Sequence, residues 1–489
     1  MSLEWLKREG SEASYPACAL KPSPCYPPNA SVGRSRDLRK LEHAMRESSA
    51  MRTWGSKRGC IGRMGHGKSS MRVPGAPALP QGLRVLVVGD AFSFPNGQGA
   101  TARVHAVARG LSAAGCRVRI LITRPSERPS DRPLNRHARG VVGGVPFEYT
   151  SGSTILSPSF WGRRTAEAMG LLRTTLFAAQ GCDAVVIYTT SSVLLPLGVG
   201  LTARLRGAVV VKDASELPFV YRRGTGFRGR YQKWYVTRVQ RTYDGVIVIS
   251  AYLDDYFRRV SRRGTTNLLV PILVDVEEFE SASSATLPET HMILYAGDLG
   301  HVGEVEALLR AFAGLAVSRR DAQLTILGDS AGTGRRDELA RMADSLGLCG
   351  MVEFAGLIPR RDLPERLARA AVLVLPRAAG AFSTAGFPTK LAEYLATGRP
   401  VVVTAVGDIR RYLHDGQDAF LVPPDDEEAF RSRLEYVLDH PDEAAAVGLR
   451  GRGLARREFD YKTHGLRIAR FLADLKLGRA RHAAGHDPQ

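Results

Sequence analysis

The chain has 489 residues, 44% of them hydrophobic and 24% charged, enough for two or three globular domains with ample cores. Its formal net charge of +19 points to anionic partners such as lipid head groups, a nucleotide or nucleic acid. Without a long apolar run neither a helical membrane span nor a signal peptide is expected. The six scattered cysteines form no CxxC pair and no disulfide framework, which suits a reducing cytoplasm.

Residues 1–80 are rich in Ser, Pro, Gly and Arg without sustained periodicity and read as a disordered extension. They contain Gly62, Gly67, Lys68 and Ser69 at the spacing of a phosphate-binding loop. That motif needs a strand before it and a helix after it, and here a Gly- and Lys-rich stretch precedes it and three prolines follow, so the match is accidental. Order begins with a buried strand, Leu83 to Gly89, followed by a loop, a helix from about Thr101 to Ala114 and a second strand, Arg117 to Ile122. Gly97, Gly99 and Ala102 fit the spacing of a dinucleotide fingerprint. They lie well past the strand end, and no acid follows to hold a ribose, so an NAD site is not expected. His105, one turn into the helix, reads as a surface or core histidine ahead of a catalytic one.

Strand-like Ala184–Ile187, Ala208–Lys212 and Gly245–Ser250 alternate with helical stretches such as Thr165–Ala178, the pattern of a parallel, doubly wound sheet. Glu216 follows one of these strands, either facing an acceptor or capping a helix. Residues 221–243 interleave Arg222, Arg223, Arg228, Arg230, Lys233, Arg238 and Arg241 with Phe227, Tyr231, Trp234 and Tyr235. Such a segment suits an anionic membrane surface, a nucleic-acid backbone or a solvated helix face. The membrane is preferred and no nucleic-acid partner is expected.

Ser281–Thr290 reads as a polar linker. A second α/β domain then opens with the strand Met292–Gly297 and a loop carrying Asp298, His301 and Glu304. After further strands at Gln323–Leu327 and Val352–Phe354, Ala371–Leu375 ends at Pro376, with Arg377 next. Pro388 stands where a helix begins, Gly398 where it ends, and Pro400–Val403 forms the next strand. Thr389, Lys390 and Glu393 thus sit on the first turns of a helix at the carboxyl edge of a sheet, where such sheets bind ligands. Helix-terminal N–H groups and Lys390 suit a diphosphate, and Glu393, on the same face, suits a pair of ribose hydroxyls. The plain alternative is a surface Lys–Glu pair. Asp426–Leu438, Pro441–Arg456 and Tyr461–Leu475 read as closing helices, and residues 478–489 as a frayed end.

Gly386, Phe387, Glu393, Ala396, Gly398, Pro400, Val401 and Val402 resemble the donor motif of retaining GT-B glycosyltransferases of the family 4 type. The resemblance implies two Rossmann-like domains facing a cleft, an acceptor domain over 83–280 and a donor domain over 290–455, with a helix at 456–475 crossing back. It implies transfer of a sugar from a nucleotide-sugar donor to a hydroxyl of a glycan or lipid-linked acceptor, in cell-surface glycan or glycolipid synthesis at the inner membrane face. Lys390 and Glu393 become the catalytic candidates, and Gly97, Gly99, Glu216, Gly297, Arg377, Gly386, Phe387 and Thr389 the substrate-binding ones, while Leu357–Pro359 falls where the family holds the base. The chain departs from the pattern at Ala385, where the family has a Glu, and between Asp298 and Glu304, which lack its Arg and Lys. The diphosphate charge is then expected to fall on Lys390, the helix end and Arg377. No Asp-x-Asp pair stands on a suitable loop, so neither a metal nor a cofactor beyond the donor is expected. A non-catalytic nucleotide-sugar-binding homologue and a GT-B sugar-nucleotide epimerase are the alternatives.

Overall fold

The computed structural model describes residues 82–129, 133–189, 192–218, 226–300, 303–329 and 334–483. The expected disordered extension, its phosphate-loop string, His301, Arg222 and Arg223 lie outside the described residues, as do the side chains of Phe227 and Arg228.

The first half of the chain alternates strands and helices: β1 (Arg84–Gly89), α1 (Gly99–Ala113), β2 (Arg117–Ile122), β3 (Arg139–Val142), β4 (Val145–Tyr149), α2 (Phe160–Ala179) and β5 (Ala184–Tyr188). A π-helical turn (Leu195–Val199) runs into α3 (Gly200–Leu205), followed by β6 (Val209–Ala214), α4 (Gly226–Trp234), β7 (Gly245–Val248), α5 (Ala251–Val260) and β8 (Thr266–Leu269). These strands form one sheet in the order β3-β4-β2-β1-β5-β6-β7-β8. Its central strands are buried on both faces, hence their unbroken Val and Ile runs, and the pairs are parallel except β3–β4. Nothing in the sequence reading anticipated that hairpin, because Arg139–Val142 is only four residues long and mostly exposed.

The second half runs α6 (Val276–Ala285), β9 (Glu289–Ala296), α7 (Glu304–Ser318), β10 (Gln323–Leu327), α8 (Arg335–Ser345), β11 (Val352–Gly356), α9 (Leu363–Ala368), β12 (Ala370–Leu375), α10 (Ala381–Ala385), α11 (Thr389–Thr397) and β13 (Val401–Thr404). It closes with α12 (Ile409–Tyr412), β14 (Phe420–Val422), α13 (Glu427–Asp439), α14 (Pro441–Glu458) and α15 (Tyr461–Ala483). The sheet order is β11-β10-β9-β12-β13-β14, all parallel. Half of the stretch read as a polar linker, Ser281–Ala285, is the end of α6, which Asp275 precedes and whose Val276 and Phe279 are buried; Glu289 and Thr290 already belong to β9.

One core continues between the halves, with Val248, Leu253 and Phe257 packing in the same cluster as Phe279, Leu391 and Phe459. Helix α15 lies against α1. Gly110 and Gly465 allow the backbones to touch, since a Cβ on Gly465 would stand 2.1 Å from the Gly110 carbonyl. Arg109 seals this junction, bonded to Asp275 at 2.8 Å and to the Tyr461 hydroxyl at 3.1 Å.

Candidate active site

Each sheet reverses its strand order once, at β1/β5 and at β9/β12. Loops leaving the two strands at such a point diverge and open a crevice over their carboxyl ends. At the second crevice, Gly297 donates its N–H to Leu327 O at 3.0 Å. Gly328 approaches so closely that a Cβ there would lie 1.8 Å from Gly297 O. Arg377 leaves β12 with its backbone N–H bonded to Thr404 Oγ1 at 2.6 Å. Its guanidinium lies 3.3 Å from Glu304, at the first position of α7. Burial pushes the Glu304 carboxyl up to about 7, against the opposing pull of Arg377. The charge expected to neutralise a phosphate therefore already faces a buried acid.

Helix α11 opens at Thr389, and Pro388 is its extended N-cap, one position before the place read from the sequence. Gly398 ends it with φ of 70°, the left-handed turn that glycine adopts without steric cost. Leu391, Ala392, Leu395 and Ala396 are buried, and the Tyr394 hydroxyl both accepts from Ala296 N at 2.7 Å and donates to Ala296 O at 3.2 Å. These contacts fix the helix over the end of β9. Glu393 is 4% exposed. Lys390 Nζ donates to its Oε2 at 2.9 Å, and Arg360, from the loop after β11, donates to its Oε1. Burial alone would raise this carboxyl; Arg360 and Lys390 outweigh burial and hold it below the usual range. Both cations stay partly exposed. The ring of Phe387 packs on those of Tyr412 and Phe459 at 5.4 and 5.7 Å, so only backbone near Gly386 and Phe387 remains for a ligand. Ala385 is also buried, its carbonyl accepting from Ser250 Oγ at 2.5 Å.

At the first crevice, a Cβ on Gly97 would fall 2.1 Å from Thr101 Oγ1, which itself donates to Ser93 O at 2.6 Å. Across from it, a Cβ on Gly99 would come 3.1 Å from Thr389 Oγ1. The amino ends of α1 and α11 therefore face one another. Tyr188, Thr189, Asp213, Ala214, Ser215 and Glu216 line a shallow, open cavity. Burial raises the Glu216 carboxyl. Asp213 is held by the Arg103 guanidinium at 2.8 Å, both side chains buried, and Arg103 also reaches Pro271 O at 2.9 Å. Lys212, fully buried, donates to Thr189 O at 3.0 Å and is lowered to about 8 by burial. His105 packs edge-on to Phe94 at 5.5 Å, with Nε2 3.4 Å from Val142 O, the place of a packed histidine.

Residues 290–440 match the family described as glycosyl transferases group 1, and residues 98–272 match the glycosyl transferase 4-like domain. The two matches fall on the two sheets in turn. This chain belongs to the GT-B glycosyltransferases. It is 32% identical over 177 residues to the GDP-mannose-dependent alpha-(1-6)-phosphatidylinositol monomannoside mannosyltransferase of Mycolicibacterium smegmatis, covering 36% of this chain and 45% of that one. It is 29% identical over 169 residues to the D-inositol 3-phosphate glycosyltransferase of Streptomyces scabiei, covering 33% and 37%. The chain thus spans less than half the length of these curated relatives. In fold it is similar to sucrose-phosphate synthase from Thermosynechococcus elongatus, with a TM-score of 0.64 and 19% identity over 81% of this chain and 100% of that one. It is also similar to Anabaena HepE, solved with UDP and glucose, with a TM-score of 0.59 and 16% identity over 80% and 99%.

In this GT-B chain the structure brings Gly97, Gly99 and Thr389 to one gap, and Lys390 and Glu393 beside it. Gly297 and Arg377 flank the same switch point, and Glu216 lines the cavity on the facing sheet. The sequence reading missed Arg360, although it lies one residue beyond the Leu357–Pro359 segment assigned to the base. Only the fold shows that it reaches Glu393, 33 positions away.

Proposed function

We propose that the chain transfers a sugar from a nucleoside-diphosphate sugar to an acceptor hydroxyl, with retention of configuration. The observation that carries this reading is the group Lys390–Glu393–Arg360 at the amino end of α11, set over a strand-order switch and facing the amino end of α1. Helix-terminal N–H groups with Lys390 suit the diphosphate, and Glu393 suits the ribose hydroxyls. On transfer, the bond from the anomeric carbon to the phosphate oxygen breaks and a bond to the acceptor oxygen forms. The acceptor proton passes to the departing phosphate oxygen, whose charge Lys390 and Arg360 stabilise. With two side-chain cations available, turnover is expected to survive EDTA. The acceptor binds over Glu216. The relative whose name mentions phosphatidylinositol monomannoside supports a lipid-linked acceptor. The basic segment 226–243 supports work at an anionic membrane face.

A thermal-shift panel of UDP, GDP, ADP, CMP, NAD and ATP on the full chain tests the donor site. A ligand at about a hundred times its Kd adds roughly 2.7 kcal/mol to the folded state, a shift of several degrees. A shift with UDP or GDP that Glu393→Ala reduces supports the reading. No shift with any diphosphate nucleotide overturns it.

A further inference from the structure

The outer layer on one side of the first sheet leaves two helices with apolar faces turned to solvent. On α2, Trp161, Met169, Leu172 and Leu176 recur at helical spacing and are 74%, 43%, 55% and 54% exposed. Beside it, Leu194, Leu197, Leu201 and Leu205 form a second stripe at intervals of three and four, 60%, 41%, 56% and 78% exposed. The stripes border one seam. A Cβ on Gly198 would touch Leu171 and Thr175 of α2 at 3.8 and 4.0 Å, and these are the sequence neighbours of Leu172 and Leu176. An apolar surface this continuous on a folded chain marks an interaction site.

The charges around it have one sign. Arg164 and Arg173 flank the α2 stripe on opposite sides, and Arg206 follows the second, all exposed. Among residues 160–179 and 192–207 the one acid is Glu167, and it is tied to Arg164 at 3.0 Å and to Arg124 at 3.7 Å. The basic segment continues the layer. It ends at Tyr243, which is buried in the same cluster as Ala178 of α2 and Leu195 and Val199 of the π-helical turn. Its own Trp234 and Tyr231 are 45% and 38% exposed among exposed Arg230, Lys233 and Arg238.

We propose that α2, the π-helical turn and α3 form a docking face for an anionic lipid bilayer, with the leucine and tryptophan stripes entering the head-group boundary and the arginines meeting the lipid phosphates. A second copy of this chain fits the face less well, because a two-fold interface would set each cationic rim against itself. No described helix is long and apolar enough to cross a membrane, so the contact lies in the plane of the interface. This deepens the lipid-surface reading above: it moves the contact from the basic segment alone to the paired stripes, and it rests on that reading only for its purpose.

The test is sedimentation of the full chain with phosphatidylcholine vesicles, with and without phosphatidylglycerol, with the nucleotide thermal shift recorded on the same samples. Wild-type protein is expected to bind the anionic vesicles and to show a blue-shifted tryptophan emission that Trp161→Phe reduces. The combined change Leu172→Ser, Leu176→Ser, Leu201→Ser and Leu205→Ser is expected to weaken binding by at least about tenfold while the melting temperature and nucleotide shift persist. Should the fourfold variant misfold, Trp161→Ser alone, at a side chain three-quarters exposed, decides the matter: it is expected to weaken vesicle binding, and unchanged binding counts against the proposal. Three outcomes overturn the proposal: no binding by wild type; full binding by the leucine variant while Arg230→Gln with Lys233→Gln and Arg238→Gln loses it; or a wild-type dimer that the leucine variant converts to monomer without any vesicle binding. Loss of the nucleotide shift in wild type, with vesicle binding intact, would instead strike the donor reading.

Discussion

The two sheets share a topology and a switch point but use charge in opposite ways. At the crevice of the first sheet the strongest charges are sunk into the fold: Arg103 and Asp213 are 3% exposed each and Lys212 is 1% exposed. At the crevice of the second sheet Glu393 is as deeply buried, yet the cations on it, Lys390 and Arg360, keep side chains 28% and 39% exposed. A buried pair with both partners enclosed is scaffold, because neither charge can be lent to a ligand without leaving the other unpaired. A buried acid held by exposed cations is adaptable, because the cations can turn to a phosphate while the acid accepts hydroxyl donors. The same architecture thus yields a rigid floor on one side and an exchangeable charge cluster on the other, and function lies in the loops.

The sharpest way to break this contrast is at Arg103. Arg103→Met leaves Asp213 buried and unpaired and is expected to cost about 3–5 kcal/mol in denaturant unfolding, with much of it recovered when Asp213→Leu is added. A loss below about 1 kcal/mol would show that the pair is not scaffold.

Acid titration comes next. His105 and His464 are both lowered to about 4, chiefly by burial, with Arg109 and Arg360 adding to the effect on His105 and Asp275 opposing it. Each folded pKa lies below the unfolded value, so the stability they contribute is present above pH 6.5 and lost as pH falls towards 4. The loss is about 3 kcal/mol for each histidine, and His105→Gln should flatten part of it. Glu304 runs the other way. Its folded value of about 7 exceeds the unfolded one, so its contribution is full below pH 4.5 and lost as pH rises through 7. Melting curves of Glu304→Gln between pH 5 and 8 that paralleled wild type would refute this.

On the donor side, Glu393→Ala should weaken nucleotide binding by about 1–3 kcal/mol, since bound ribose hydroxyls would lose their acceptor. Isothermal titration showing unchanged affinity would remove Glu393 from the ribose. The smallest effect is expected at the gap between the halves. Gly99→Ala would bring a methyl within 3.1 Å of Thr389 Oγ1, a tight contact that a rotation of Thr389 relieves, at about 1 kcal/mol or less in kcat/KM.

Much of this was legible in the chain. Unbroken Val and Ile runs separated by helical stretches announce parallel strands, because such strands are buried on both faces. Pro388, Gly398 and the Lys390–Glu393 spacing mark helix α11, because helix ends and same-face pairs are local properties. Two features stayed hidden for an equally plain reason. Ser281–Ala285 looked like linker, since the two apolar anchors that seat α6, Val276 and Phe279, lie ahead of that segment. The β3–β4 hairpin is held by pairing with β2 rather than by its own composition.

What the sequence by itself determined is the class of the molecule: two doubly wound α/β halves and a helix whose amino end suits a phosphate, all set by periodicity and capping within a few turns of chain. Only the tertiary structure decided who holds whom. Arg360 reaches Glu393 across 33 residues, Glu304 claims Arg377, Asp213 binds Arg103 across 110, and two exposed leucine stripes meet along one seam. Those partnerships depend on which loops a strand order brings together, and a local pattern carries no information about that.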